Sequence, residues 1–539
     1  MSSLGRASAL LAAGTMVSRV TGLLRTIVLV SVIGANASAA ADAFGLANQL
    51  PNDVFSLISV GVLTAVLVPQ IVQAASHDDA GSAFISKLFT LGTVVLLAAT
   101  GIAMLAAPLL ILVNVSPTTS PDKIALATAF AYWCLPQILF YGLYALIGET
   151  LNARRIFGPF TWAPVANNVI SIAGFLVIQA LFGGPLKATG AWTPDRIALL
   201  GGTATLGIAI QAGILLLFWP RTRLALKPDF RWRGVGLGKV GKLAGWTLLM
   251  AVISVVAGFV QTRIAYQASG EYPSVAVMMN AWLVFMLPYS VIVHSIGTPY
   301  FTQLSEHAHA GRDDEVRNDI SRSIRTLGFF LMGAMAAVAA AAVPASRIFT
   351  NSGPDAVAAG QVLLCYLAGL VPLAVLFIIQ RTFYAYGDTR TPLLFTLFQC
   401  VLIVVSALAA GALVDARAIP LAWLAAAIAL GQSISGTLQT IVATWLLHRR
   451  LGGIHTRTWL LGLLRFLVAA VPAGGAGWGA YLLLGGAKSW MTSNIYLGAV
   501  GAAIVGITTL AVYLGALFLM RTPELDAVKG LIRRFVPSR

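Results

Sequence analysis

Six windows of this chain carry no charged residue: Leu88–Ser120, Ile197–Pro220, Thr326–Ser346, Thr391–Val414, Phe466–Ala487 and Ser489–Met520. Each exceeds the ~20 apolar residues that cover the hydrocarbon core of a bilayer. Inside hydrocarbon every backbone N–H and C=O needs an internal partner, so only helices or closed barrels can span. The apolar runs are continuous rather than alternating, which selects helices. Composition agrees, with 58% hydrophobic and 10% charged residues against about 25% charged in soluble domains. The expected fold class is an all-α polytopic membrane protein.

Hydropathy places fourteen spans near residues 9–33, 41–75, 83–114, 122–150, 160–182, 197–219, 240–268, 273–305, 316–342, 355–386, 391–414, 419–447, 459–485 and 494–520. The first span has no small-residue cleavage site behind a short apolar core, so it reads as a membrane helix rather than a signal peptide. An even number of spans puts both termini on one side. One set of connections, with the two ends, holds 25 Lys and Arg. The opposite set holds six, Lys123, Lys187, Arg196, Arg347, Arg417 and Lys488. The positive-inside rule then places both termini in the cytoplasm of a bacterial cytoplasmic membrane. The net charge of +16 orients the chain and meets anionic membrane lipids. No nucleic-acid partner is expected.

The two halves echo each other. Leu50-Pro51 recurs as Leu287-Pro288, Gly61 as Gly297, and Asp78-Asp79 as Asp313-Asp314. Thr150, Ala153 and Pro159 recur as Thr382, Ala385 and Pro392. The offset is six spans. An even offset preserves orientation, so the repeats are parallel, an architecture that sets a substrate cavity between two lobes. The expected domains are an N-terminal lobe at 1–225, a C-terminal lobe at 226–450, two extra helices at 451–522 and a basic tail at 523–539.

Polar residues inside spans are costly and usually face water, a partner or a ligand. Thr15, Ser18, Gly22 and Arg25 share one face of span one, with Arg19 on its flank. Two arginines without an acid on the same span point to an anionic ligand; snorkelling is the competing reading. Span two carries Asp42, Gly45, Gln49, Asn52, Ser56 and Ser59. This stripe fits either a polar cavity or helix–helix hydrogen bonding, and Asp42 is a candidate partner for an arginine. Arg263 in span seven, near Gln261 and Gln267, fits substrate contact or interfacial snorkelling. His294 in span eight reads as a core histidine before a proton carrier. Arg465 reads as an interfacial anchor.

Other chemistry finds little support. Gly236 to Lys242 has the spacing of a phosphate-binding loop, but Leu243 stands where Ser or Thr should hold magnesium, and no strand precedes it. Cys134, Cys365 and Cys400 lie in apolar segments without metal-ligand neighbours, so they read as small hydrophobes. No nucleophile–base pair is visible and the outer loops are too short for a catalytic domain. No enzyme activity and no cofactor are expected.

The stretch Ser18-Arg19-Val20-x-Gly22-x-x-Arg25 resembles the opening of the MurJ (MviN) lipid II flippase family, part of the MOP exporter superfamily. So do Gly34-Ala35, Asp42-Ala43-Phe44, Ala47, Leu50-Pro51-Asn52 and Val68-Pro69. Leu151-Asn152-Ala153-Arg154 with Phe157, Pro164 and Asn168, and Gly387-Asp388-Thr389-x-Thr391-Pro392, are similar to two later junctions of that family. The resemblance implies two six-helix lobes and two extra helices grooved for a polyprenyl tail. It implies flipping of lipid II, a polyprenyl-pyrophosphate-linked peptidoglycan precursor, to the outer leaflet by alternating access. Cell-wall synthesis proteins would then be partners. Thr26, Phe55 or Ser56, Val60, Leu283 and Met286 stand where the family often carries charge, which implies a less charged cavity. Two functional alternatives stay open. One is export of another polyprenyl-linked saccharide or a drug; the other is a non-transporting cell-wall scaffold.

Overall fold

A computed structural model describes residues 3–59, 82–154, 156, 158–231 and 237–525, without the side chains of 3–13, 16, 84, 153, 237–244, 294, 295, 298, 299 and 302. The sequence features at Gly61, Val68-Pro69, Asp78-Asp79 and Phe157, the His294 side chain, Gly236 and the side chains of the Leu237–Lys242 stretch lie outside this description. Among the described residues the regular structure is entirely helical. Twelve stretches are long and apolar enough to cross a membrane. Two more helices, α1 (Ser3–Ile33) and α2 (Ala39–Ile58), precede them. Among the described residues these twelve stretches and two further helices match the fourteen read from hydropathy, and the chain is a multi-pass membrane protein.

The helices form two compact units, Met1–Ala276 and Val277–Arg539. In the first, α3 (Ser82–Leu105) and α4 (Ala107–Asn114) build span three. Span four is α5 (Pro121–Cys134) and α6 (Gln137–Ala153), interrupted at Leu135-Pro136 because proline cannot donate to the helical ladder. Then follow α7 (Gly158–Phe182), α8 (Pro194–Leu216) and α9 (Leu237–Ala265). Helix α10 (Val275–Ile292) begins at the boundary between the units. In the second unit, α11 (Thr298–His309) follows a π-helical turn at Val293–Gly297. Span nine is α12 (Asp313–Ala340), with the short α13 (Ala342–Arg347) behind it. Span ten is α14 (Gly353–Leu367) and α15 (Leu370–Ala385), followed by α16 (Arg390–Asp415), α17 (Leu424–Leu451), α18 (Thr456–Leu483) and α19 (Ile495–Leu519).

The sequence echo has structural counterparts. Spans three and nine both break near their ends, at Ala106 and Ala341; spans four and ten both break mid-way, near Pro136 and Gly369. Pro51 lies inside α2 and Pro288 inside α10, and a π-helical turn at Val293–Gly297 follows α10. Thr150 and Thr382 are fully buried, and each donates its hydroxyl to the carbonyl four residues back, Leu146 at 2.9 Å and Ile378 at 2.8 Å.

Close packing depends on small residues, as expected where neither helix gains by leaving water. In the second unit α18 and α19 pack on α12. A Cβ at Gly328 would lie 2.1 Å from Leu463 Cδ2, and one at Gly333 would lie 2.6 Å from Tyr513 Cε1. The Tyr513 hydroxyl donates to the Phe329 carbonyl at 2.8 Å, and Phe329 meets Phe466 edge-on at 5.7 Å. The extra pair is thus fastened to span nine by buried glycines and aromatic rings.

The junction between spans ten and eleven shows why its motif has that spelling. Gly387 adopts φ +70°, a left-handed conformation that costs other L-residues ~1–2 kcal/mol. Asp388 Oδ1 accepts the backbone N–H groups of Arg390 and Thr391 at 3.0 Å each, satisfying donors left open at the start of α16. Its Oδ2 accepts from the Thr391 hydroxyl at 2.7 Å and from Arg450. Burial opposes ionisation here, but these donors together hold the Asp388 carboxyl below its usual range.

Candidate functional site

The first unit carries most of the polar residues singled out in the spans. Helix α1 packs along α7 through its small residues. Asn168 Nδ2 of α7 donates to the Ser18 carbonyl at 3.1 Å and to Thr21 Oγ1 at 3.0 Å. A Cβ on Gly22 would lie 3.6 Å from the same amide. Ser18 and Gly22 therefore sit at a helix–helix seam, where a Cβ on Gly22 would meet Asn168 at ordinary van der Waals distance. Arg19 is exposed on the surface of the unit, while Arg25, nearly two turns further, is half-buried.

Arg25 and the Tyr141 hydroxyl of α6 interact electrostatically. The Tyr141 ring stacks on Phe55 of α2, centroids 5.8 Å apart. Tyr141 of span four thus links the Arg25 guanidinium of span one to the Phe55 ring of span two. Phe55 is one of the two positions where the resemblance would have allowed an arginine; here it contributes a ring instead.

The carboxylates of α2 are committed elsewhere. Asp42 is buried at the first turn of α2 and accepts the Ala276 N–H at 2.8 Å. Lys123 lies within electrostatic reach of it and donates to the Ser269 carbonyl at 2.7 Å. Asp42 therefore fastens the start of α2 to the connection leading into α10, with the favourable placement of an anion at a helix N-terminus. Asp53 accepts from Gln49 Nε2 at 2.8 Å, one turn away on the same helix. Asn52 is exposed. Arg263 Nη1 donates to the carbonyls of Leu112 and Val113 at 3.3 and 3.4 Å, closing the C-terminal end of α4. None of the ion pairs among the described residues involves Arg19 or Arg25. Two cations are available, and the acids of span two bond to neutral donors.

The structure thus links Arg25 to span two through Tyr141, puts Ser18 at the seam with α7, and gives Asp42 and Arg263 bonds to the backbone. Four residues absent from the sequence reading now stand out. Asp53 was hidden beside Asn52, though its i,i+4 spacing from Gln49 is visible in the sequence. Tyr141 and Glu149 carried no signal beyond their polarity in an apolar span. Gln137, fully buried at the break in span four, donates to Asn48 Oδ1 and Thr205 Oγ1 at 3.1 Å each, tying α6 to α2 and α8. Pro136 just before it was the available clue. No group of three or more His, Cys, Asp or Glu able to hold a metal gathers among the described residues.

Comparison with known proteins assigns this arrangement to a family. The profile described as "Lipid II flippase MurJ" matches residues 29–498. A probable lipid II flippase MurJ of Haemophilus influenzae is 28% identical over 493 residues, covering 86% of this chain and 90% of its own. One from Rhizobium tropici is 24% identical, with 97% and 96% covered. A solved lipid II flippase MurJ in an inward closed conformation shares the fold with a TM-score of 0.71 at 18% identity, covering 95% of this chain and 99% of that one. An inward-facing multidrug-resistance MATE transporter of the MOP superfamily shares it at 0.62 and 15% identity, covering 83% and 98%. With the profile spanning most of its length, this chain belongs to the lipid II flippase MurJ family.

Proposed function

We propose that this protein moves lipid II from the inner to the outer leaflet of a bacterial cytoplasmic membrane by alternating access. The observation that supports this best is the half-buried Arg25, which interacts electrostatically with Tyr141 and is free of any carboxylate pair among the described residues. A cation held unneutralised inside a span is stabilised by an anionic ligand, and a lipid pyrophosphate is such a ligand. Guanidinium suits it, because its planar fork makes two parallel hydrogen bonds to phosphate and stays charged at physiological pH. Arg19, with Ser18, Gln49 and Asn52, extends the polar surface toward the sugar and peptide. Asp42 and Arg263 support the same site from their backbone bonds.

In this reading residues 1–225 and 226–450 act as the rocking lobes, and 451–522 guide the polyprenyl tail. Residues 523–539 form a cytoplasmic tail. Both termini face the cytoplasm, as the charge asymmetry supports. No bond of the substrate is made or broken. Anionic lipids and cell-wall synthesis proteins are its membrane partners. The decisive experiment depletes the protein in its own cells and measures lipid II accessible at the outer leaflet. A fall in accessible lipid II, restored by the wild type and not by Arg25→Ala, is the expected result. Unchanged accessibility would remove the flippase reading.

A further inference from the structure

In the second unit a cavity of about 800 Å³ opens between α12, the start of α18 and the segment after α19. Its lining divides by height along α12. Arg322 and Arg325 are the last charges before the charge-free stretch that begins at Thr326, and Phe329 and Phe330 lie one turn deeper. The cavity therefore straddles the level where span nine passes from water into hydrocarbon. A basic pocket between membrane helices at that level is suited to a lipid headgroup.

The charges inside it do not cancel. Arg325 donates through Nε to Glu524 at 2.8 Å and through Nη2 to the same oxygen. Arg322 is exposed, and its guanidinium has no partner among the described residues. The two arginines and one glutamate leave one free positive charge. On the opposite wall His455 holds φ +49°, a left-handed conformation uncommon for a non-glycine residue, and sits at the N-terminus of α18. That helix end favours an anion in the same cavity.

We propose that this cavity binds one anionic glycerophospholipid. Its monoanionic phosphodiester pairs with Arg322 and the start of α18, while its glycerol and upper acyl segments rest on Phe329 and Phe330. The Arg325–Glu524 pair keeps the site selective for a single negative charge. It also ties the chain beyond span fourteen to span nine, so lipid occupancy and the position of that segment are coupled.

The test uses the purified full chain and reads lipid retention by native mass spectrometry, with phosphatidylglycerol, phosphatidylcholine and inorganic phosphate as probes. The wild type should retain phosphatidylglycerol over phosphatidylcholine. Arg322→Gln should lower phosphatidylglycerol retention about fivefold, the effect of one basic residue near a membrane surface, and Arg322→Lys should recover most of it. Glu524→Gln, which frees Arg325, should raise it. Arg449→Gln, a basic residue stacked on Trp445 away from the cavity lining, should leave it unchanged. Wild-type retention in a folded Arg322→Gln protein would overturn the proposal. So would displacement of the lipid by inorganic phosphate alone, which would mark a free-anion site.

Discussion

The Asp42 carboxylate accepts the backbone N–H of Ala276 at 2.8 Å, across 234 residues of chain. Both groups are buried, so the bond fixes the connection between spans seven and eight against the start of span two. Asp42→Ala would leave a buried donor without a partner, at a cost of ~1–3 kcal/mol. Asp42→Asn keeps an oxygen in place and should cost less. Thermal unfolding of the purified variants measures this; an alanine variant as stable as the wild type would deny the clasp its structural role.

Arg25→Ala should fold and insert normally yet fail to transport, because no carboxylate is stranded by its removal. Arg25→Lys keeps the charge without the paired geometry and should retain part of the activity. Flipping in reconstituted vesicles, measured beside Tm, separates the outcomes. A fully active Arg19→Ala/Arg25→Ala protein would take both arginines out of the mechanism.

The Asp388 cap makes a pH prediction. Its folded-state pKa lies below the ordinary carboxylate value. Its contribution is therefore complete above the unfolded pKa and is lost as pH falls through the folded one. The Tm difference between wild type and Asp388→Asn should be largest near neutral pH and shrink on acidification. A difference that grows toward acid would contradict the assignment.

Gly477 touches Thr509, where a Cβ would lie 1.9 Å from Oγ1 and 2.9 Å from Ala340 Cβ. Gly477→Val should force α18 away from α19 and α12, lowering Tm. Exposed Gly475, with open space around its Cβ position, should accept valine with little change. Equal stability of the two variants would refute the packing argument.

Orientation is testable with single cysteines in a background lacking Cys134, Cys365 and Cys400. Ser38 is a poor probe, since it is buried, donates to the Ile33 carbonyl and caps α2. Exposed Ser120 and Lys488 are better outer positions, and exposed Ala310 an inner one. Ser120→Cys and Lys488→Cys should react with an impermeant thiol reagent in intact cells, and Ala310→Cys only after permeabilisation. The reverse pattern would invert the topology.

The sequence alone determined the number and kind of helices, because the bilayer demands long apolar runs whose backbones bond internally. Most spans could be bounded within a few residues for that reason, although α1 begins at Ser3, well before the span read from residue 9; span two continues beyond the described residues at Ser59. The repeat was equally legible, since Pro51 and Pro288 or Thr150 and Thr382 do the same local work in each half. The motif at Gly387-Asp388 was visible as a spelling before its hydrogen bonds gave it a cause. What sequence could not decide was the partner of each polar residue. Asp42, a candidate partner for an arginine, bonds to a backbone N–H over 200 residues away; Arg263, read as substrate contact or snorkelling, donates to two carbonyls at the end of a short helix. Tyr141 and Phe55 meet near Arg25 only because α2 and α6 pack side by side. Periodicity fixes which face of a helix a side chain occupies, but only tertiary packing decides what that face meets.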